Sequence, residues 1–207
     1  MKSDRKWSPA DGIWQHNPVF AAGMSAAPAV ILGNSLDMAV TYAMIFSISA
    51  FGTLLISRLL PRRIPYALRM ILYTLIAAGM YIPSYILTEK YAPVSPQNLG
   101  VFLALTVTGD FVVRGSEMRF FRMSPLRMIA DILSHILGFD LAIIFLGAVR
   151  ELFSQGGIGG VLYGVNTVIP ILSTPFGGFM LIGLMGAFIR VTSRASGNKR
   201  DHADHKE

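Results

Sequence analysis

The sequence predicts an all-α membrane protein with six transmembrane helices in two inverted three-helix repeats, helices 1 and 4 being broken or short. Three observations predict it. The 207 residues are 53% hydrophobic and only 14% charged, where an average soluble domain carries about 25% charged residues. The mean hydropathy is +0.53. The charges are also segregated, so that uncharged runs of about membrane-spanning length alternate with basic clusters.

Bounding the uncharged runs gives the spans in order. The first covers residues 17–36 and is interrupted by Pro28, which follows the small-residue stretch GMSAAPAV. The second, 38–57, is the cleanest, lying between Asp37 and Arg58. The third, 70–88, has Pro83 inside it. The fourth, 99–113, is short and contains Gly109 and Asp110. The fifth, 128–149, carries Asp131, His135 and Asp140. The last uncharged stretch, 152–189, is too long for one span and is punctuated by Gly156, Gly157, Gly159, Gly160, Pro170 and Pro175. It divides into a glycine-rich connection, a short helical piece and a sixth span over 175–191. The domain organisation that follows is a polar tail over 1–16, a six-span membrane domain over 17–192 and a polar tail over 193–207.

The basic residues set the orientation. One side receives Lys2, Arg5 and Lys6; then Arg58, Arg62, Arg63 and Arg69; then Arg114, Arg119, Arg122 and Arg127; then Arg190, Arg194, Lys199 and Arg200. The other side receives Lys90 and Arg150, each beside a glutamate. Six spans alternate with this distribution, and both termini are expected in the cytoplasm. The N-terminal stretch is polar and does not read as a signal peptide. Proline or glycine at depth is tolerated only where protein or a cavity satisfies the freed backbone groups. Irregular helices in both halves of a six-span chain point to two three-span repeats, whose odd span number inverts the second copy and places a site where the broken helices meet.

Several function classes drop out. The net charge of +6 falls between apolar runs and determines topology, so no nucleic-acid partner is expected; the lipid bilayer is. There is no cysteine, which excludes disulfides and any site built on this chain's thiolates. The glycines at 156–160 lack the G-K-[ST] of a phosphate loop and read as a turn. No catalytic residue and no metal site are expected. Asp131 and His135 are i and i+4 and share a helix face, whereas His135 and Asp140 are about 140° apart. Asp140 is the deepest acid, and an interior hydrogen bond or a polar ion or proton path with Asp110 or His135 are its two readings. Arg150 and Glu151 read either as an ordinary span-end pair or as a structural pair, in which Arg150 fixes the loop before the sixth span or contacts a partner.

The stretch NLGVFLALTVTGDFVV, followed by Glu117 and then by LGAVRELF, resembles a known family: the paired six-span subunits of the Rnf electron-transport complexes and of the sodium-translocating NADH:quinone oxidoreductases. Asp131, the Gly138–Phe139 pair and the NPVF and AAP segments near the start are similar to the family pattern, and the resemblance covers residues 14–190. Cytoplasmic termini favour the Rnf E-type and Nqr D-type member over its inverted counterpart. The resemblance implies a bacterial or archaeal cytoplasmic (inner) membrane and a paired, inverted six-span subunit. It also implies further membrane, flavin and iron–sulfur subunits. It makes Pro28, Gly109, Glu117, Asp131, Arg150 and Glu151 motif positions. Family members supply one cysteine from each broken helix, and the paired subunits hold a two-iron, two-sulfur cluster at mid-membrane. Here those positions are Ala27 and Asp110. Such clusters rest on Cys thiolates, with His as the usual partial substitute. No cofactor is therefore expected in this chain.

Asp110 has three readings: a span end in the headgroup region near Arg114, a proton- or cation-binding carboxylate at the old cluster position, or a filler beside a partner's polar group. Three functions follow from the whole: a subunit of an Rnf/Nqr-type complex coupling electron transfer to cation movement, the same fold repurposed as an ion or small-solute transporter, or a structural membrane subunit. A topology reporter fused at Lys206 is expected to read out on the cytoplasmic side; a periplasmic signal overturns the six-span orientation.

Overall fold

The structure is a computed structural model and describes residues 19, 26–61, 63–107, 124–159, 161–162 and 169–204, with side chains described to residue 104 in the second of these long segments and to 192 in the last. Among the described residues there are six α-helices: α1 (Ala26–Leu32), α2 (Leu36–Ser57), α3 (Tyr66–Glu89), α4 (Gly100–Val107), α5 (Pro125–Gln155) and α6 (Pro175–Asp204). Short 3-10 turns at Pro96–Leu99 and Pro170–Ser173 lead into α4 and α6. Between α5 and α6 lies one hairpin, in which β1 (Gly157–Ile158) pairs antiparallel with β2 (Val161–Leu162).

Three helix ends have a local cause. Ser35 caps α2, accepting a hydrogen bond from the Met38 N–H, and Asp37 adds an acid to the first turn. Pro125 occupies the first turn of α5, where its missing N–H costs nothing. Gly156 ends α5 in the left-handed conformation (φ 72°), returning its N–H to the Leu152 carbonyl at 3.0 Å. Pro83 does not break α3, which runs on to Glu89.

Four helices among the described residues are long and apolar enough to cross a membrane: α2, α3, α5 and the Pro175–Thr192 part of α6. Buried residues make up 56% of the spanning window in α2 and in α5, against 17% in α3 and 22% in α6, so α2 and α5 are central and the other two peripheral. Phe46 of α2 stacks on Phe139 of α5 at 3.8 Å between ring centroids, and Tyr42 meets Phe139 edge-on at 5.9 Å. The two helices close up at a glycine. A Cβ at Gly147 of α5 would lie 2.8 Å from Ala39 Cβ and from the Ser35 carbonyl oxygen. Small residues at such points let helices approach where lipid gives no hydrophobic drive.

Several predicted boundaries move. The first predicted span is, in its described part, the seven-residue α1, and Leu36 already belongs to α2. Pro28 lies in the first turn of α1, where proline is tolerated, and does not interrupt a continuous helix there. Of the fourth span, α4 extends to Val107; Gly109, Asp110 and Glu117 lie outside the described residues. The fifth helix overruns its predicted end at 149 because Arg150 and Glu151 are buried and bonded, so their charges do not end it. The sixth continues past 191 as polar helix to Asp204. The glycine-rich connection forms a hairpin turned at Gly159 (φ 60°).

Gly147→Ala is expected to destabilise the protein by about 1–3 kcal/mol through overpacking. Gly183→Ala on α6, whose Cβ meets nothing within 4 Å, is expected to be neutral or stabilising. Thermal unfolding midpoints of the two variants in detergent check the contrast.

Candidate functional site

Near its C-terminal end α5 carries Arg150, 1% exposed, although a guanidinium is among the costliest groups to bury. Its donors explain how. Nε donates to the Leu172 carbonyl at 2.8 Å; Nη1 donates to the carbonyls of Val30 and of Gly33, the latter at 3.0 Å; Nη2 donates to Ser173 at 3.1 Å and Thr174 at 3.2 Å. Val30 lies in the last turn of α1 and Gly33 just beyond it, while Leu172, Ser173 and Thr174 end the 3-10 turn before α6. Carbonyls left over at helix ends carry the negative pole of the dipole, and one planar cation collects those of two elements. Gly178 of α6 permits the approach, since a Cβ there would sit 3.2 Å from Arg150 Cζ.

The next residue works at the opposite pole. Glu151 is 5% exposed, and its Oε2 accepts the Leu36 N–H at 2.7 Å. That N–H is the first of α2, where the dipole is positive. Arg150 and Glu151 thus bind the end of one helix and the start of the next across a single turn. Arg150 thereby holds the segment before α6 and the end of α1.

The three acidic and imidazole positions of α5 go to two different places. Asp131 (2% exposed) and His135 (6%) stay together: His135 Nδ1 donates to the Asp131 carbonyl at 2.8 Å and lies 3.7 Å from its carboxylate. Asp140 turns to α2, where its Oδ2 accepts a hydrogen bond from the Ser47 hydroxyl. Its Oδ1 is buried without a hydrogen-bond partner. Nothing in the sequence marks Ser47, since a serine in an apolar run gives no sign of the acid it faces 93 residues later.

Ala27 is exposed on α1 beside the half-buried Pro28. A methyl group ligates nothing, and the chain has no thiolate to offer elsewhere. Among the described residues no three His, Asp or Glu side chains come together as a metal site. Asp110, the other expected cluster position, lies outside the described residues. The donor set therefore does not fit a two-iron, two-sulfur cluster.

Four membrane-length apolar helices, with buried charges bonded to helix ends, define an all-α integral membrane protein. The chain belongs to the family described as "Rnf-Nqr subunit, membrane protein", which matches residues 8–186. It is 27% identical over 184 residues to the E-type subunit of the proton-translocating ferredoxin:NAD(+) oxidoreductase complex of Clostridium ljungdahlii, covering 87% of this chain and 85% of the relative. It is 29% identical over 186 residues to the D-type subunit of the Na(+)-translocating NADH-quinone reductase of Pseudomonas aeruginosa, covering 84% and 80%. With the E-type subunit of the ion-translocating oxidoreductase complex of Shewanella oneidensis it shares 25% over 198 residues, covering 88% and 85%.

Arg150→Met is expected to lose stability heavily, since each charge-assisted hydrogen bond contributes about 1.5–3 kcal/mol. Arg150→Lys should recover only part, because an ammonium cannot fork to both elements. Glu151→Ala should cost about 0.5–2 kcal/mol, the usual loss of a helix cap. Detergent-resistant folded fractions on heating rank the three; an Arg150→Met chain as stable as the parent contradicts the joint.

Proposed function

We propose that this chain is an integral membrane subunit of an Rnf/Nqr-type complex that couples electron transfer to cation translocation. The observation that carries the reading is the family match over nearly the whole membrane domain, together with relatives whose names place them in ion-translocating oxidoreductase complexes. The chain is a scaffold for a paired, inverted subunit of the same fold and for flavin and iron–sulfur subunits beside it. Its own ligand positions hold no thiolate, so its redox part is reduced or lost.

In this reading the architecture is six spans in two inverted repeats, in the bacterial or archaeal inner membrane with both termini cytoplasmic. The membrane domain covers 17–192, between polar tails 1–16 and 193–207. The helices α1 and α4, seven and eight residues long as described, support it by their placement. Each opens a half of the chain. Asp110, Asp140 and His135 are the positions assigned to ion or proton movement, with Asp110 standing where relatives carry a cluster cysteine. Absence of that cysteine favours one second reading, the fold repurposed as an ion or small-solute transporter.

Affinity purification of the tagged chain from native membranes in mild detergent tests the reading. A second six-span chain and redox subunits are expected to co-purify; a chain recovered alone favours the transporter. A two-iron resonance from this subunit alone overturns the assignment of no cofactor. Asp140→Asn is expected to weaken the ion dependence of the complex, and unchanged ion dependence removes Asp140 from the path.

A further inference from the structure

The helices bring their arginines to one end of the bundle. Arg58, the C-cap of α2, donates from Nη1 to Met128 Sδ in the first turn of α5 at 2.9 Å, so the end of α2 meets the start of α5. Gly52 meets the Met80 side chain and Thr41 bonds to Val94, so α3 runs antiparallel to α2 and starts at that same end. Gly178, near the start of α6, faces Arg150 at the opposite end, which returns Arg190 to the first. Arg58, Arg63, Arg69, Arg127 and Arg190 therefore share one end. The described acids lie elsewhere: Asp37, Glu89 and Glu151 at the other end, and Asp140 in the middle of α5. Asp131 alone is near, and it is 2% exposed and 3.7 Å from His135.

The junction of α2 with α5 pairs these charges with apolar surface. Leu59 is 80% exposed and Leu126 is 82%, the two most exposed large apolar side chains among the described residues. Each adjoins an arginine, the half-buried Arg58 and the exposed Arg127. A thioether is a weak acceptor and occupies one of the five N–H donors of Arg58. Among the described residues neither arginine pairs with a carboxylate. A span leaves the hydrocarbon core at its helix end, so the leucines reach acyl chains while the guanidiniums stand at headgroup level. Phosphate is an anion that guanidiniums fork well. A choline headgroup would add an ammonium, and this end exposes no described carboxylate to receive it. An anionic headgroup brings the phosphate without that cation.

We propose that the α2–α5 junction binds one anionic phospholipid, with its phosphate on Arg58 and Arg127 and its acyl chains over Leu59 and Leu126. Basic sites between transmembrane helix ends are a recurring way of holding such headgroups. Membership of a redox complex is not required for this site.

Native mass spectrometry of the full chain, purified in mild detergent, reads the lipid directly. Phosphatidylglycerol, phosphatidylcholine and glycerol 3-phosphate are added in turn. One phosphatidylglycerol per chain is expected to be retained, at about tenfold lower concentration than phosphatidylcholine or glycerol 3-phosphate requires. Arg58→Gln combined with Arg127→Gln should abolish that preference, whereas Lys90→Gln at the opposite end should keep it. Leu59→Ser combined with Leu126→Ser should weaken retention of phosphatidylglycerol. Equal retention of the two lipids by the parent chain overturns the proposal, and so does an arginine double variant that keeps the preference. Glycerol 3-phosphate held as tightly as phosphatidylglycerol also overturns it, because the ligand is then free phosphate and not lipid. An arginine double variant that keeps its lipid but loses a co-purifying protein assigns the face to a partner subunit instead. Should the double variant fail to accumulate, Arg127→Gln alone, whose native side chain is exposed, decides by the same comparison.

Discussion

The fold depends on one buried cation held by backbone. Arg150 donates to carbonyls of α1, of the turn after it, and of the segment leading into α6. These elements lie up to 120 residues from Arg150 in sequence. The 3-10 turn has only four residues, well below the length at which a helix is stable alone. The ends of these elements carry unsatisfied carbonyls, and the guanidinium is the one side chain with enough planar donors to serve several at once. Glu151 completes the joint by holding the first N–H of α2. The charge survives burial because helix dipoles, whose negative ends converge on it, replace its hydration shell.

Around that joint the interior is unusually polar for a membrane bundle. The α2–α5 interface combines a Phe46–Phe139 stack with a serine–aspartate pair one residue further along each helix. In a bilayer a polar side chain either finds a partner in the protein or remains costly. Asp140, bonded to Ser47, marks where the bundle departs from simple apolar packing. Peripheral α3 and α6 keep apolar outer faces, as Leu75, Ile82, Phe179 and Leu184 illustrate.

Membership of the Rnf-Nqr family and the composition of this chain pull in different directions. The family match runs over most of the membrane domain, and the LGAVRELF segment supplies the joint that holds the helix ends. Yet the chain has no cysteine at all. A scaffold held by backbone carbonyls needs no thiolate for its stability.

Much of this was legible in the residues. Uncharged runs gave α2, α3 and the apolar part of α6 to within a few positions, because span length and charge are properties of the local sequence. The glycines at 156–160 gave the turn that follows α5, but not the end of that helix, which charge placed at 149. The pairing of Asp131 with His135 followed from helical spacing alone. Two things did not follow. Arg150 and Glu151 looked as much like a span end as a structural pair, since sequence shows a charge but not the carbonyls and amide waiting for it from residues 30, 33, 36 and 172–174. Asp140 had no visible partner, because Ser47 reaches it only once α2 and α5 pack antiparallel. Local composition determined which segments are helices and that they belong in a membrane. Only the tertiary structure decided which buried charges are neutralised and by what, because their partners are backbone groups and hydroxyls that carry no signature until distant helix ends are brought together.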